Sequence, residues 1–506
     1  MTRPQYEVPG HDTTGRASRN GISKSGIGGE GSGRRHSGGG ADHPAAGADH
    51  PAATDPTIRD HRDIETFAQA QCLVPGPIGQ VGIETEWLVI DPRHPDLRVP
   101  PDRTRSALGL VPPPGSGPTG VPVLPAGNRV TFEPGGQLEL SGPPLPLADA
   151  LRATAEDLAD VRARLAGHGL LLAGLGADPL REPRRLLTEG RYAAMETYFA
   201  SGRFPAGALM MCSTAALQVN LDAGPVAGWA RRWWLAHALG PVLVAMFAAS
   251  PVLAGRRTGA ASMRQAVWAA IDPSRTAPVP SASAGPTEVP AEQWARYLAN
   301  ARLMLIREPG GSGPDAGSGS RWDETRHRAV LDGSTFADWV AGRGEAAADG
   351  RRPTMDDLAY HATTVFPVVR PRGWLELRYL DAQPPWSWPL AVIVATALLD
   401  DPIAAERAAQ ACAPVSGRWV DASERGLADP ELRRAAITCV AAAIDACGRL
   451  GVPAGLVAAL SAFAENSVDR GRCPGDELID AFHKGGAVQM LVDATRWEAD
   501  ACVPAA

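Results

Sequence analysis

Gly82-Ile83-Glu84-Thr85-Glu86-Trp87-Leu88-Val89-Ile90 puts two carboxylates two positions apart at the head of an apolar run. In a β-strand successive side chains point to opposite faces, so Glu84 and Glu86 share one face while Ile83, Thr85 and Trp87 take the other. At a rise of about 3.3 Å per residue the two carboxylates stand roughly 7 Å apart. Like charges at that separation are tolerable in water. In a half-buried site they call for cations or basic ligands, and hard divalent ions such as Mg2+ meet that demand. A strand with one solvated face shows the same alternation, so the pair gains meaning only if the pattern recurs.

It recurs three times. Within Asn128 to Ser141, Gln137 and Glu139 lie on one side of an alternating run and Leu138 and Leu140 on the other; Pro134-Gly135-Gly136 ahead of them predicts a hairpin-like entry. From Ala216 to Asp222, Gln218, Asn220 and Asp222 alternate with Leu217, Val219 and Leu221, and from Trp374 to Asp381 a strand places Glu376 and Arg378 opposite Leu375 and Leu377. Four such strands separated by helical segments predict an α+β protein: a curved, mainly antiparallel sheet with helices packed on its apolar face and an acidic, concave polar face. Water alone can solvate such a face. Clustered carboxylates with carboxamides and arginines also suit several divalent cations bridging nucleotide phosphates.

The chain of 506 residues is 44% hydrophobic, enough for a sizeable core. Its net charge of -7 argues against a general nucleic-acid binder, so any phosphate site must be built locally. The seven cysteines are odd in number and scattered without a CxxC, which indicates neither a disulfide framework nor a zinc knuckle and suits a reducing cytoplasm. The N-terminus carries no secretory pattern. The apolar run Trp233 to Ala254 is interrupted by His237, Gly240-Pro241 and Ser250-Pro251 and reads as a buried core helix rather than a membrane span. Neither a P-loop nor a kinase glycine loop is present, nor a GxSxG elbow or HExxH helix, so phosphate binding would rest on metals and arginines.

Residues 1–62 are rich in Gly, Ser, Arg, His and Asp and duplicate Ala-Asp-His-Pro-Ala-Ala at Ala41 and Ala48. Such a segment cannot bury enough to offset its ordering entropy and reads as a disordered tail, with His43 and His50 in a drifted repeat rather than a metal site. Residues 63–506 read as one domain. Helical periodicity is expected over Asp63 to Gln71, Leu147 to His168, Val226 to Leu253 and Trp294 to Ile306, with Leu170 to Leu175 a short strand. The Arg191 to Phe199 stripe reads as core, residues 273–290 and 307–321 as long loops, and the chain from Pro389 onward as Ala-rich helices holding Cys439 and Cys447 in the core.

Seven runs carry a family resemblance: Glu133-Pro-Gly-Gly-Gln-Leu-Glu-Leu-Ser-Gly, Gly190-Arg-Tyr-Ala-Ala-Met, Met210-Met211, Gln218-Val-Asn-Leu-Asp, Ser262-Met-Arg, Thr363-Thr-Val-Phe-Pro-Val-Val-Arg and Leu375-Glu-Leu-Arg. Together, over about residues 80 to 400, the chain resembles the plant-type glutamate-cysteine ligases, most of all their actinobacterial branch used in ergothioneine synthesis. The resemblance implies a glutamine-synthetase-like fold and a single catalytic ligase domain. It also implies ATP-dependent joining of the L-glutamate γ-carboxylate to the L-cysteine amine through γ-glutamyl phosphate. On the same ground, Glu84, Glu86, Glu133, Glu139, Gln218 and Glu376 are implied as Mg2+ ligands. Arg264 would grip the glutamate α-carboxylate, with Trp268 and Asn220 also at the substrate. Arg378 and Gln218 would face ATP, with Arg378 and Glu376 at the chemistry. A fixed cation at Arg378 would stabilise the phosphoryl group in flight.

The chain departs from the pattern at Ser213, where plant members carry Arg, so a contact there is lost or supplied elsewhere. The regulatory cysteines of plant members have no evident counterparts, and no such switch is expected. Two rivals stand beside this reading. One is a carboxylate-amine ligase of the same fold that uses another amine. The other is a non-catalytic scaffold, which would require missing ligands, and none of the principal ones is missing.

Overall fold

A computed structural model describes residues 57–110, 121–204, 206–279, 289–308 and 326–496. Its main sheet contains β1 (Gln80–Ile90), β2 (Arg129–Phe132), β3 (Leu138–Ser141), β4 (Leu145–Pro146), β5 (Leu171–Ala173), β6 (Ala216–Leu221), β7 (Val369–Pro371) and β8 (Leu375–Asp381). The hydrogen-bonded order is β7-β8-β6-β1-β3-β2, with β4 and β5 pairing with the two ends of β1. Every pairing is antiparallel. The expected sheet is therefore present, with the acidic strand β1 at its centre.

The β2–β3 hairpin turns through Pro134-Gly135-Gly136, as the sequence predicts. Gly136 has φ of +87°, a conformation that disfavours other residues. A β-carbon on Gly135 would fall 2.2 Å from the Cys212 carbonyl oxygen, so the turn can press against the chain entering β6 only because Gly135 has no side chain.

On the apolar face Val81, Ile83, Trp87, Leu138, Leu140, Leu217, Val219, Leu221, Leu375 and Leu377 form one continuous core. The Leu147–Gly167 helix adds Leu151, Leu158, Val161 and Leu165, all fully buried. The Trp388–Asp400 helix is buried almost all round, because it lies between the sheet and the Pro430–Cys447 helix. Thr85, the polar residue of this face, accepts a hydrogen bond from Trp87 Nε1 at 2.9 Å, so two polar groups in the core satisfy each other.

Some element boundaries differ from the periodicity. The helix expected over Trp294 to Ile306 is Pro290–Asn300, and Leu305–Glu308 is a strand paired with Arg326–Ala329. A short apolar run suits either period, and its strand partner lies beyond residues 309–325, outside local view. The Val226 to Leu253 stretch divides into the Trp229–Ala238 and Gly240–Met246 helices and a Val252–Leu253 strand. The break sits at Gly240-Pro241, where the Trp419 ring comes within 1.9 Å of where a Gly240 β-carbon would stand. Within 273–290, Pro273–Thr276 is a helical turn capped by Asp272.

The first helix starts at His61, and residues 57–62 join the fold: Ile58 is buried, and its N–H bonds the Pro353 carbonyl at 2.8 Å. The tail expectation for residues 1–56, including His43 and His50, lies outside the described residues, as do 280–288 and 309–321 of the two long loops. Among the described residues no single helix is long and apolar enough to cross a membrane. Cys439 and Cys447 are buried as expected, with Cys439 Sγ 3.6 Å from Cys412 Sγ.

Candidate active site

Strand register turns the alternation into rows across the polar face. Glu86 on β1 stands directly opposite Glu139 on β3, which in turn faces Thr131 on β2 and accepts its hydroxyl hydrogen bond. One row on, Glu84 stands between Ser141 of β3 and Gln218 of β6. In the next, Gly82 faces Asn220, Asn220 faces Glu376 on β8, and Glu376 faces Arg370 on β7. Directly opposed residues have Cβ atoms about 4.5–5.5 Å apart, and two like charges so placed repel. Glu84, Glu86, Glu133, Glu139, Gln218 and Glu376 are all buried, Glu133 at the hairpin turn with its N–H on the Gln137 carbonyl at 2.9 Å.

The β8 side is cationic. Arg370 grips Glu376 with two hydrogen bonds, Nε to Oε2 at 2.6 Å and Nη2 to Oε1 at 3.1 Å. Arg372 reaches Oε1 at 3.4 Å, and Arg378 Nη1 reaches Oε2 at 3.1 Å and Gln218 Oε1 at 2.7 Å. Burial pushes the Glu376 carboxyl up, but Arg370, Arg378 and Arg372 outweigh it and hold Glu376 well below the usual carboxylate range. Burial lowers Arg370 to about 10 against the pull of Glu376. A shift in pairing between Leu377 and Leu380 marks a bulge in β8 just where Arg378 is presented.

Arg264 and Trp268 lie one turn apart on the Met263–Ala270 helix. The Arg264 and Arg378 guanidinium carbons stand 5.4 Å and 5.7 Å from the Trp268 ring centroid, so the ring serves both cations. Arg264 Nη2 donates to the Arg378 carbonyl at 2.8 Å. Burial lowers Arg264 to about 10, opposed first by Asp381 and then by Glu86. The structure thus brings Arg264, Trp268, Arg378, Gln218 and Glu376 into one buried cluster beside the carboxylate rows.

Several polar atoms here are buried and have no hydrogen-bond partner among the described residues: Glu84 Oε2, Ser141 Oγ, Gln137 Oε1, Gln218 Nε2, Arg378 Nε, Arg264 Nη1 and Trp268 Nε1. Buried polar groups are ordinarily paired, and leaving one unpaired costs about 1–3 kcal/mol. Seven such atoms gathered on the polar face of the sheet and on the Met263–Ala270 helix beside it mark a place where a ligand can supply partners. The oxygen donors suit a hard cation such as Mg2+. Among the described residues no three His, Cys, Asp or Glu converge on one metal position.

Half-buried Asn220 makes two hydrogen bonds within the protein. Its Nδ2 donates to Glu84 Oε1 at 2.9 Å and its Oδ1 accepts from Trp374 Nε1 at 2.9 Å, so it orients Glu84. At Ser213, Arg98 Nη2 donates to the Ser213 hydroxyl at 3.0 Å and its Nη1 to the Cys212 carbonyl at 2.7 Å. Met210 and Met211 pack in a secondary apolar cluster with Met195, Tyr198 and Phe199. Arg370, which closes one of the seven runs, joins the site as the partner of Glu376. The signal was an arginine six residues before Glu376 across a glycine, Gly373 at φ +88°, which is the spacing of a hairpin pair. Arg98, Thr131 and Asp381 were missed because only tertiary packing brings them to their partners.

The sequence profile of the glutamate-cysteine ligase family 2 matches residues 80–494, extending past the expected limit near 400 to include the C-terminal helices. Glutamate--cysteine ligase EgtA of Mycobacterium tuberculosis is 43% identical over 439 residues, covering 86% of this chain and 94% of its own. A chloroplastic glutamate--cysteine ligase of Medicago truncatula is 31% identical over 268 residues, covering 51% of this chain and 47% of its own. Among solved structures, a glutamate--cysteine ligase of Francisella tularensis in complex with AMP aligns with 84% of this chain and 88% of that chain, at 12% identity and a TM-score of 0.48. By the profile match and the near full-length actinobacterial relative, the chain belongs to glutamate-cysteine ligase family 2.

Proposed function

We propose that the protein is an ATP-dependent glutamate-cysteine ligase that makes γ-glutamylcysteine in the cytoplasm, feeding ergothioneine synthesis. The observation that supports this most is the set of unpartnered buried atoms, Glu84 Oε2, Gln218 Nε2, Arg378 Nε and Arg264 Nη1, shared between an acidic and a cationic half of one face. Glu84, Glu86, Glu133, Glu139 and Gln218 would hold Mg2+, which would neutralise the nucleotide phosphates when bound. Glu376 would join them at most through lone pairs its arginines leave open; its main part is to hold Arg378 and Arg370 in place.

The glutamate α-carboxylate pairs with Arg264 above the Trp268 ring, leaving the γ-carboxylate directed at the ATP γ-phosphate. A γ-carboxylate oxygen attacks that phosphorus and ADP leaves, giving γ-glutamyl phosphate. Arg378, fixed by Gln218 and Glu376, stabilises the charge on the phosphoryl oxygens during transfer. The cysteine amine then attacks the acyl carbon, loses a proton and expels phosphate.

Phosphate release from Mg-ATP that requires glutamate and cysteine together, with the product confirmed by mass, is the expected result. Chelating divalent metal should stop it. Release with neither amino acid, or none with both, would defeat the reading; a panel of amines in place of cysteine decides between this ligase and one that uses another amine.

A further inference from the structure

We propose that Asp381 is a positioning residue for glutamate binding, fixing through Ser250 and Ser262 the helical turn that aims Arg264. Asp381 ends β8 and is buried. Its Oδ2 accepts from the Ala249 N–H at 2.9 Å and from Ser250 Oγ at 2.7 Å, and its Oδ1 accepts from Ser262 Oγ at 2.9 Å. Each hydroxyl accepts in turn from the first turn of the Met263–Ala270 helix: Ser250 Oγ from the Arg264 N–H at 3.0 Å, Ser262 Oγ from the Gln265 N–H at 3.2 Å. One carboxylate on the sheet thereby holds two backbone N–H groups of the helix through one hydroxyl each.

The arrangement goes beyond an ordinary helix cap. A single Ser262 cap would satisfy one N–H of the turn. Here the second serine comes from a different segment and bonds the backbone of Arg264 itself. Gln265 Nε2 ties the same turn to the Tyr379 carbonyl at 2.7 Å, and Ser423 Oγ, from the Trp419–Arg425 helix, holds the Ser262 carbonyl at 2.9 Å. The C-terminal helices thus reach the site from behind. What this clamp presents is a fully buried guanidinium with one hydrogen bond to Arg378 and an unpartnered Nη1. Such a group recognises a carboxylate in only one geometry, so small movements of its helix cost binding.

A carboxylate suits the task because it accepts from all three donors at once. Asparagine keeps part of the pattern, accepting at Oδ1 from Ala249 and Ser250, but toward Ser262 it can only donate, which reverses that bond and leaves the Ser262 hydroxyl proton without its acceptor; alanine removes every contact.

The inference rests on the assignment of the glutamate α-carboxylate to Arg264. Steady-state kinetics with each substrate varied in turn, together with thermal melting, test it. Asp381→Ala should raise the glutamate KM about tenfold or more while leaving the ATP KM within about twofold and kcat little changed, the pattern of lost uniform binding. Asp381→Asn should recover part of that loss. Ser250→Ala should move the glutamate KM in the same direction by less, and it decides the matter if Asp381→Ala fails to fold. An unchanged glutamate KM, or KM values for all substrates rising together with a lowered Tm and no recovery by asparagine, would overturn the inference. Arg264→Lys separates the two levels. If it leaves the glutamate KM unchanged, the α-carboxylate assignment falls and the inference with it. If it raises that KM while the Asp381 and Ser250 variants do not, only the positioning role falls.

Discussion

The two faces of β1 are built from one continuous stretch of chain and treat their polar groups in opposite ways. On the apolar face Trp87 Nε1 and Thr85 Oγ1 bond to each other, and nothing is left for a ligand. On the other face Glu84 has one oxygen on Asn220 and the second without a partner among the described residues, beside the similarly unpartnered Gln218 Nε2 and Ser141 Oγ. Both faces are buried, so the difference is not one of solvent access. It is closure against openness. A face that withholds water from its polar atoms and also withholds protein partners is one whose free energy is recovered when a ligand arrives.

Substitutions on the two faces should therefore fail differently. Trp87→Ala attacks the closed face and should cost about 3–5 kcal/mol of stability, the range for large-to-small changes at buried aromatics. Denaturant unfolding measures this, and the folded enzyme that remains should keep its substrate KM values. Glu84→Gln attacks the open face and keeps the volume. Turnover should fall about 10²–10³-fold, as when a preorganised electrostatic group is removed, with the denaturation midpoint nearly unchanged. If Glu84→Gln unfolded the protein and left the activity per folded molecule intact, the distinction between the faces would be wrong.

How much of this was legible in the sequence follows from range. Period-two alternation is local, so Glu84 with Glu86, Gln137 with Glu139, and Glu376 with Arg378 could be assigned to shared faces from spacing alone. The rows that set Glu86 against Glu139 and Glu84 against Gln218 depend on register between strands far apart in the chain, and single-sequence periodicity does not encode it. Family motifs supplied that grouping. They did not foretell that Asn220 would be spent on Glu84 and Trp374, that Glu376 would be surrounded by three arginines, or that Arg98 would reach Ser213. The difference between the helix expected over Trp294 to Ile306 and the observed strand at its end has the same cause, since the partner of Leu305–Glu308 is Arg326–Ala329.

Two buried histidines away from the candidate site predict a pH dependence. His237, whose Nδ1–H donates to the Trp233 carbonyl at 2.8 Å, is lowered by burial from 6.5 to about 4. His361 is lowered from 6.5 to about 3, by burial first and then by the charge of Arg275. Both are neutral in the fold, and their folded values lie below the unfolded one. Their contribution is therefore complete above pH 6.5 and lost as the pH falls from there toward 4 for His237 and toward 3 for His361. For His237 the loss is about 3 kcal/mol by pH 4. Urea midpoints between pH 7 and 4.5 should drop accordingly, and His237→Leu should flatten part of the slope.

The smallest expected effect is the sharpest probe of closure. Thr85→Val keeps shape and removes one oxygen, leaving the Trp87 indole N–H buried without its acceptor, at a cost of about 1–3 kcal/mol. Adding Trp87→Phe removes the orphaned donor too. The double variant should then lose less than the sum of the single changes, because a buried pair deleted from both ends costs little beyond the volume it leaves. Glutamate, cysteine and ATP KM values should stay at wild-type levels throughout. A Thr85→Val enzyme whose KM for glutamate rose while its unfolding free energy held steady would mean that the apolar face transmits to the site, and that β1 is one functional unit rather than a wall with a closed side and an open one.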